Sequence, residues 1–164
     1  MRKLVATLVF IALVFVAHRY LMPDDDGQIR DRLAALARAA TVARELSPLE
    51  VAARANEAQG YVTSTAVIEL KPLEGAARKI EGREGLRLAI AAAALRFHLL
   101  TVSFLDVKTE ISPDRRSATA YATARARSEA EKWEEVIELK FSLEKENGVW
   151  LISRAENHES LERR

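Results

Sequence analysis

The chain has 164 residues, and its 25 basic and 24 acidic residues give a formal net charge of +1. This near balance, without a basic stretch interleaved with aromatic residues, argues against nucleic acid as a partner. The sequence contains no cysteine, which excludes a lipid anchor on an acylated cysteine. The three histidines, His18, His98 and His158, lack metal-ligand spacing. We therefore expect neither a metal nor a cofactor.

The first two dozen residues are typical of a membrane segment. A basic start at residues 2–3 precedes an unbroken apolar run, Leu4–Ala17. At 1.5 Å per residue this run spans roughly 21 Å, less than the hydrocarbon thickness of about 30 Å. Extension to Met22 gives roughly 28 Å if Arg19 snorkels and Tyr20 lies at the interface. The sequence thus predicts a transmembrane signal anchor over residues 1–23.

Two alternatives to an anchor remain for this segment. A cleaved signal needs small residues before the cut, and a cut after Ala17 would place the bulky Phe15 at the third position before it. A soluble core helix is disfavoured because no polar face interrupts the run. The basic start favours a cytoplasmic N-terminus, so we expect a single-pass membrane protein whose C-terminal domain lies on the exported side.

Helical signals come next in chain order. The three aspartates of Asp24–Asp26 predict a helix start, because carboxylates cap and complement a helix N-terminus. Ser47–Glu50 reads as a capping box with proline at the first helical position, so a second, short helix follows. The β-branched stretch Tyr61–Lys71 predicts a strand, and Ala77–Glu81 a short return strand. A third helix is expected from Gly82 to about His98.

Four strands in a meander are predicted for the second half of the chain. Their predicted ranges are Leu99–Ile111, Ser117–Arg127, Lys132–Lys145 and Val149–His158. In the second of these strands, five alanines alternate on one face, at positions 118, 120, 122, 124 and 126. Small residues there permit close helix packing, or else leave room for a ligand. Trp133 and Trp150 are expected in the core or at the sheet rim.

Asn147-Gly148 is a strong signal for a two-residue type I′ hairpin. Uninterrupted pairing outward from it predicts the opposed pairs Leu143 with Ile152, Phe141 with Arg154, Leu139 with Glu156, and Ile137 with His158. The inward face of the last strand would then comprise Trp150, Ile152, Arg154, Glu156 and His158. We therefore expect apolar residues near the turn and ionisable ones at the far end.

This order of elements resembles the nuclear-transport-factor-2-like superfamily, with its ketosteroid-isomerase-like and polyketide-cyclase-like branches. The clearest local marks are Gly82-Arg83-Glu84 and the segment from Gly148 to Ile152. The resemblance implies an α+β domain over residues 24–160, with helices packed on a bent antiparallel sheet that forms a cone with a pocket, in cystatin-like order. A tail, 161–164, follows. Dimerisation is common in such families.

The superfamily contains isomerases, dehydratases, cyclases and non-catalytic binding or assembly domains, so its fold does not define an activity. Its ketosteroid isomerases resemble one another in an aspartate base and a Tyr/Asp oxyanion pair. Tyr61, Glu69 and Asp106 are the right residue types here, but no local motif aligns them.

The hairpin register instead gives the candidate sites. Pocket-lining candidates are Trp150, Ile152, Phe141, Leu139 and Ile137. Acid/base candidates are Glu156 and His158, with Tyr121 or Arg154 stabilising an enolate-like oxygen. The alternative is an Arg154–Glu156 ion pair at a strand end with His158 in solvent. His98 is interpreted as a capping or partly buried residue rather than a base.

Two functions follow from these candidates. The first is a membrane-anchored, non-catalytic binding or assembly domain. Its partners would be the membrane, a second copy or a membrane-proximal protein, and a small apolar ligand. The alternative is an isomerase or lyase that acts on a small apolar carbonyl substrate. The lining of the cone interior distinguishes them, because an enzyme needs polar groups inside it.

Overall fold

The structure is a computed structural model that describes residues 24–71, 77–97 and 99–158. The predicted anchor, Leu4 to Ala17 with its extension to Met22, lies outside the described residues, as do His98 and the tail 161–164. In the described ranges, no helix has the length and apolar character needed to span a membrane.

Helices form where the capping signals predict them. Helix α1 spans Asp25–Ala40, and the Asp24 side chain accepts a hydrogen bond from the backbone of Gly27 at its start. Helix α2 spans Pro48–Ala58 and begins with the complete Ser47–Glu50 capping box. A single 3₁₀ turn, Gln59–Tyr61, then leads into the sheet. Helix α3 spans Gly82–Arg96.

Strands pair into one six-stranded mixed sheet. The strands are β1 Val62–Leu70, β2 Arg78–Glu81, β3 Leu100–Ile111, β4 Ser117–Ser128, β5 Trp133–Glu146 and β6 Val149–Asn157. Their spatial order is β2-β1-β6-β5-β4-β3. The expectation of a wholly antiparallel sheet is wrong at one place, because β1 and β6 pair in parallel. Local turn signals cannot reveal that pair, since the two strands are separated by most of the domain.

One face of the sheet carries the core. Alanines at positions 118, 120, 122 and 124 of β4 are buried, which confirms the predicted alanine face. Trp150, Phe141 and Ile152 belong to the same core cluster, and so does Ile29 of α1. Trp133 lies at the sheet rim, where its ring stacks on Phe97 with the centroids 5.8 Å apart. Both tryptophan predictions are confirmed.

Candidate functional site

A β-bulge in β6 changes which side chains face the cone. The predicted pairing holds from the hairpin to Leu143 with Ile152, but the next pair is Ser142 with Arg154. Ser153 is therefore the extra residue, and Phe141 pairs with Ala155 instead of Arg154. Because side chains alternate between faces, this one-residue slip reverses the orientation of everything beyond it.

The predicted inward positions of Arg154 and Glu156 are consequently wrong. Ala155 is the buried residue of this segment, and Arg154 lies exposed on the outer face. Arg154 Nε donates to Glu156 Oε2 at 2.8 Å, and its guanidinium also lies 3.4 Å from Glu69. The hydrogen bond from Arg154 holds the pKa of Glu156 below its ordinary value. This is the ion-pair alternative considered above, and it favours an ionised carboxylate rather than a proton donor.

Tyr121 and His158 also lie on the outer side of the sheet. Tyr121 alternates with the buried alanines of β4 and pairs with Lys140 of β5. The His158 ring packs on Tyr121 with centroids 4.9 Å apart, and its backbone N–H donates to Glu138. His158 therefore does not project into the cone opposite Ile137 as predicted. The structure does bring together one base candidate, His158, and one oxyanion-stabilising candidate, Tyr121, but away from the cavity.

The residue types shared with ketosteroid isomerases do not meet at a common site. The Tyr61 hydroxyl donates to Glu57 on the neighbouring helical turn. Glu69 interacts with Arg154 on the outer face. Asp106 is exposed, with a positive φ of 53°, at the irregularity in β3. None of the three borders the cavity described next.

A half-open cavity of about 280 Å³ lies between the sheet and the helices. Four of the five predicted pocket residues line it: Ile137, Leu139, Phe141 and Ile152. Trp150 does not, because its ring is fully buried and its indole nitrogen bonds to Asp25 instead. Apart from Arg125 and Glu135, the lining is aliphatic and aromatic, with contributions from all six strands and from α1 and α3.

Sequence reasoning missed several residues of this cavity. Phe104 of β3 meets Phe141 edge to face with centroids 5.2 Å apart. Ala124 and Ala126 border the cavity. The alanine face of β4 therefore combines the two predicted roles: close packing at one end of the strand and room for a cavity at the other. Glu135 also lines it. The sequence contained enough information to predict this position, because Glu135 lies two residues before Ile137 in a predicted strand and side chains two residues apart lie on the same face.

The interior of this cavity is chemically apolar. Among the described residues that line it, the charged ones are Arg125 and Glu135. Arg125 is exposed and bonds through Nε to Glu134 at 2.6 Å. Across the described residues, no group of three or more histidine, aspartate and glutamate side chains is placed to hold a metal ion. The cavity can thus accept an apolar molecule by desolvation.

Solved structures show the same architecture. A nuclear-transport-factor-2-like protein with a cystatin-like fold from Novosphingobium aromaticivorans superposes with a TM-score of 0.63 and 16% identity, covering 93% of this chain and 92% of that one. A protein of unknown function with a cystatin-like fold from Nostoc punctiforme gives 0.61 and 14%, covering 87% and 96%. A candidate dehydratase of the nuclear-transport-factor-2-like family from Streptomyces avermitilis gives 0.61 and 9%, covering 84% and 97%.

These likenesses establish the fold. The chain is an α+β domain with the cystatin-like cone of nuclear-transport-factor-2-like proteins, as the sequence resemblance implied. No protein-family model matches the sequence, and no curated protein matches it. At identities of 9–16%, the neighbours share architecture rather than a demonstrated activity.

Proposed function

We propose that this protein is a non-catalytic binding domain that holds a small apolar ligand inside its cone. The carrying observation is the cavity of about 280 Å³, lined almost wholly by hydrocarbon side chains. Its volume lies near the lower end of ligand pockets, which range from about 300 to 1,000 Å³. Burial of an apolar ligand there is favourable because it removes from water the apolar surface of both the ligand and the cavity lining.

The positions of the acid/base candidates support a non-catalytic role. General acid/base chemistry requires a titratable group within hydrogen-bond reach of the bound substrate. Arg154, Glu156, His158 and Tyr121 lie on the outer face of the sheet, and the cavity lies on the inner face. The isomerase or lyase alternative therefore loses the residues on which it was based.

Fluorescence titration with N-phenyl-1-naphthylamine, a neutral apolar probe, tests this function. We expect saturable enhancement with the full chain, and at least about tenfold weaker binding in Ala124→Phe, because the added ring occupies the cavity. Ala126→Leu adds a smaller group to the same lining and is the second test variant if Ala124→Phe does not fold. Ala92→Phe adds the same ring to an exposed position of α3 and serves as the matched control.

Two results would overturn the proposal. One is an absence of saturable probe binding by the wild-type chain. The other is binding by Ala124→Phe and Ala126→Leu that equals the wild type, which would place the probe elsewhere. Retention of the thermal unfolding midpoint shows that each variant is folded.

The proposal includes a location. The apolar run Leu4–Ala17 and its extension to Met22 support a single-pass anchor with the binding domain on the exported side. A C-terminal alkaline phosphatase fusion is expected to be active, because that enzyme matures only after export. An expressed but inactive fusion would contradict this orientation and leave the binding proposal standing.

A further inference from the structure

Helix α3 carries large apolar side chains on two opposite sides. Its inner side contributes Leu86 and Ile90 to the cavity lining, and both are buried. Leu88 and Leu95 are seven residues apart, which places them together on the outer side of the helix. Their side chains are 53% and 75% exposed. A helix that is apolar all round is normally buried, and the described residues leave this outer side uncovered.

Helix α2, which packs against α3, adds another exposed leucine. Leu49 at the start of α2 is 81% exposed. Arg96 follows Leu95 in the last turn of α3, where it is exposed and its guanidinium lies 5.4 Å from the ring centroid of Phe97. Leucines beside an arginine suit a helix that lies on a bilayer. The hydrocarbon enters the acyl region, and the guanidinium stays among the phosphates.

The chain itself indicates what covers this surface. The apolar run of the proposed anchor extends to Met22, and α1 begins at Asp25. At most about 11 Å of extended chain separates these two residues, so an anchored domain stays against the bilayer. A second copy is a less suitable occupant, because two leucines on one helix offer much less than the roughly 800 Å² per partner that a stable dimer buries.

We propose that the outer side of α3 rests on the lipid bilayer in which the chain is anchored. This inference rests on the proposed location and deepens it. Leu88 and Leu95 enter the boundary between head groups and acyl chains, and Arg96 pairs with lipid phosphates. Helix α3 then lies between the bilayer and the cavity, which places the cavity beside the phase in which an apolar ligand concentrates.

Site-directed fluorescence on the full chain in lipid nanodiscs tests this contact. The sequence has no cysteine, so Leu88→Cys, Leu95→Cys and Val136→Cys each accept a single bimane label. Val136 is 45% exposed on the outer face of β5 and is the matched control. The discs contain equal parts of phosphatidylcholine and phosphatidylglycerol, with a quenching doxyl group near the top of the acyl chains. We expect at least about threefold stronger quenching at positions 88 and 95 than at 136, because an interfacial helix enters this layer.

A charged substitution distinguishes insertion from mere proximity. Leu88→Asp should lower the quenching of the label on Leu95→Cys to the level seen at position 136, because a carboxylate is costly to bury in hydrocarbon. Val136→Asp adds the same charge to the sheet and should leave the quenching at position 95 unchanged. An unchanged signal in Leu88→Asp would overturn the proposed contact.

The outcomes separate this inference from the proposals on which it rests. Entry of the full chain into the discs with equal quenching at all three positions would overturn the α3 contact and leave the anchor standing. Disulfide cross-linking of Leu95→Cys between two chains, without quenching, would assign the surface to a second copy and overturn the bilayer contact. Failure of the chain to enter the discs would overturn both the anchor and this inference, whereas probe binding in the cavity is measured independently of either.

Discussion

The indole Nε1 of Trp150 donates a hydrogen bond to Asp25 Oδ1 at 3.0 Å, joining residues 125 positions apart. Asp25 is buried at the start of α1, and Trp150 is buried near the start of β6. Lys145 Nζ lies 2.6 Å from the same oxygen, and Arg115 Nε lies 2.6 Å from the other. One carboxylate thus joins the N-terminus of α1 to the β3–β4 turn, β5 and β6.

Replacement of Asp25 by asparagine should be strongly destabilising. The variant keeps the shape of the side chain but removes the charge that balances Lys145 and Arg115, and breaking a buried ion pair costs about 3 kcal/mol. Urea unfolding should show a lower midpoint with a similar slope. Asp31→Asn, at an exposed position of the same helix, is the control. Equal stability of the two variants would contradict a structural role for the Asp25 network.

Asp25 should also make stability depend on pH in acid. Burial raises the pKa of its carboxyl, but hydrogen bonds from Lys145, Trp150 and Arg115 outweigh it and hold the pKa below the ordinary value of 3.8. A carboxyl whose pKa is lower in the folded than in the unfolded protein stabilises the fold at pH values above its unfolded-state pKa. This stabilisation is lost as the pH falls through its folded-state pKa. The free energy of unfolding of wild type minus that of Asp25→Asn should therefore shrink below about pH 4. A constant difference across that range would refute the assignment.

The β5–β6 hairpin depends on backbone conformation at its turn. Asn147 and Gly148 have φ values of 50° and 81°, as a type I′ turn requires. Gly148→Ala should lower the free energy of unfolding by about 1 kcal/mol, because a side chain disfavours this region. Gly60→Ala is the control, since its added Cβ would have no atom within 4 Å, and it should be neutral or slightly stabilising. Equal effects of the two substitutions, measured by thermal unfolding, would contradict this account.

Substitutions on the outer face should not affect ligand binding. Glu156→Gln, His158→Ala and Tyr121→Phe alter side chains on the other side of the sheet from the cavity. The affinity for N-phenyl-1-naphthylamine should stay within about twofold of the wild type. A large loss of affinity in any of these variants would indicate that the substituted residue belongs to the binding site, and it would support the acid/base alternative. The Ala124→Phe variant provides the positive control for loss of binding.

Most of the architecture was accessible from the sequence because its signals are local. The Ser47–Glu50 capping box, the alanine alternation of β4 and the Asn147-Gly148 turn each specify conformation within a few residues. Four of the predicted pocket residues line the cavity, since Ile137, Leu139 and Phe141 follow from the period of one strand and Ile152 from the turn. The inward placement of Arg154 and Glu156 failed because it extrapolated that register past Ser153.

The sequence by itself determined the helix starts, the strands of the meander and the alternation of their faces, all of which depend on neighbouring residues. The tertiary structure decided the parallel β1–β6 pair, the bulge at Ser153 and the cavity lining. These depend on contacts between distant segments, in which burial of Ala155 and pairing with β1 position the last strand. One extra residue in a strand moved the acid/base candidates outside, leaving an apolar interior with Glu135 at its edge.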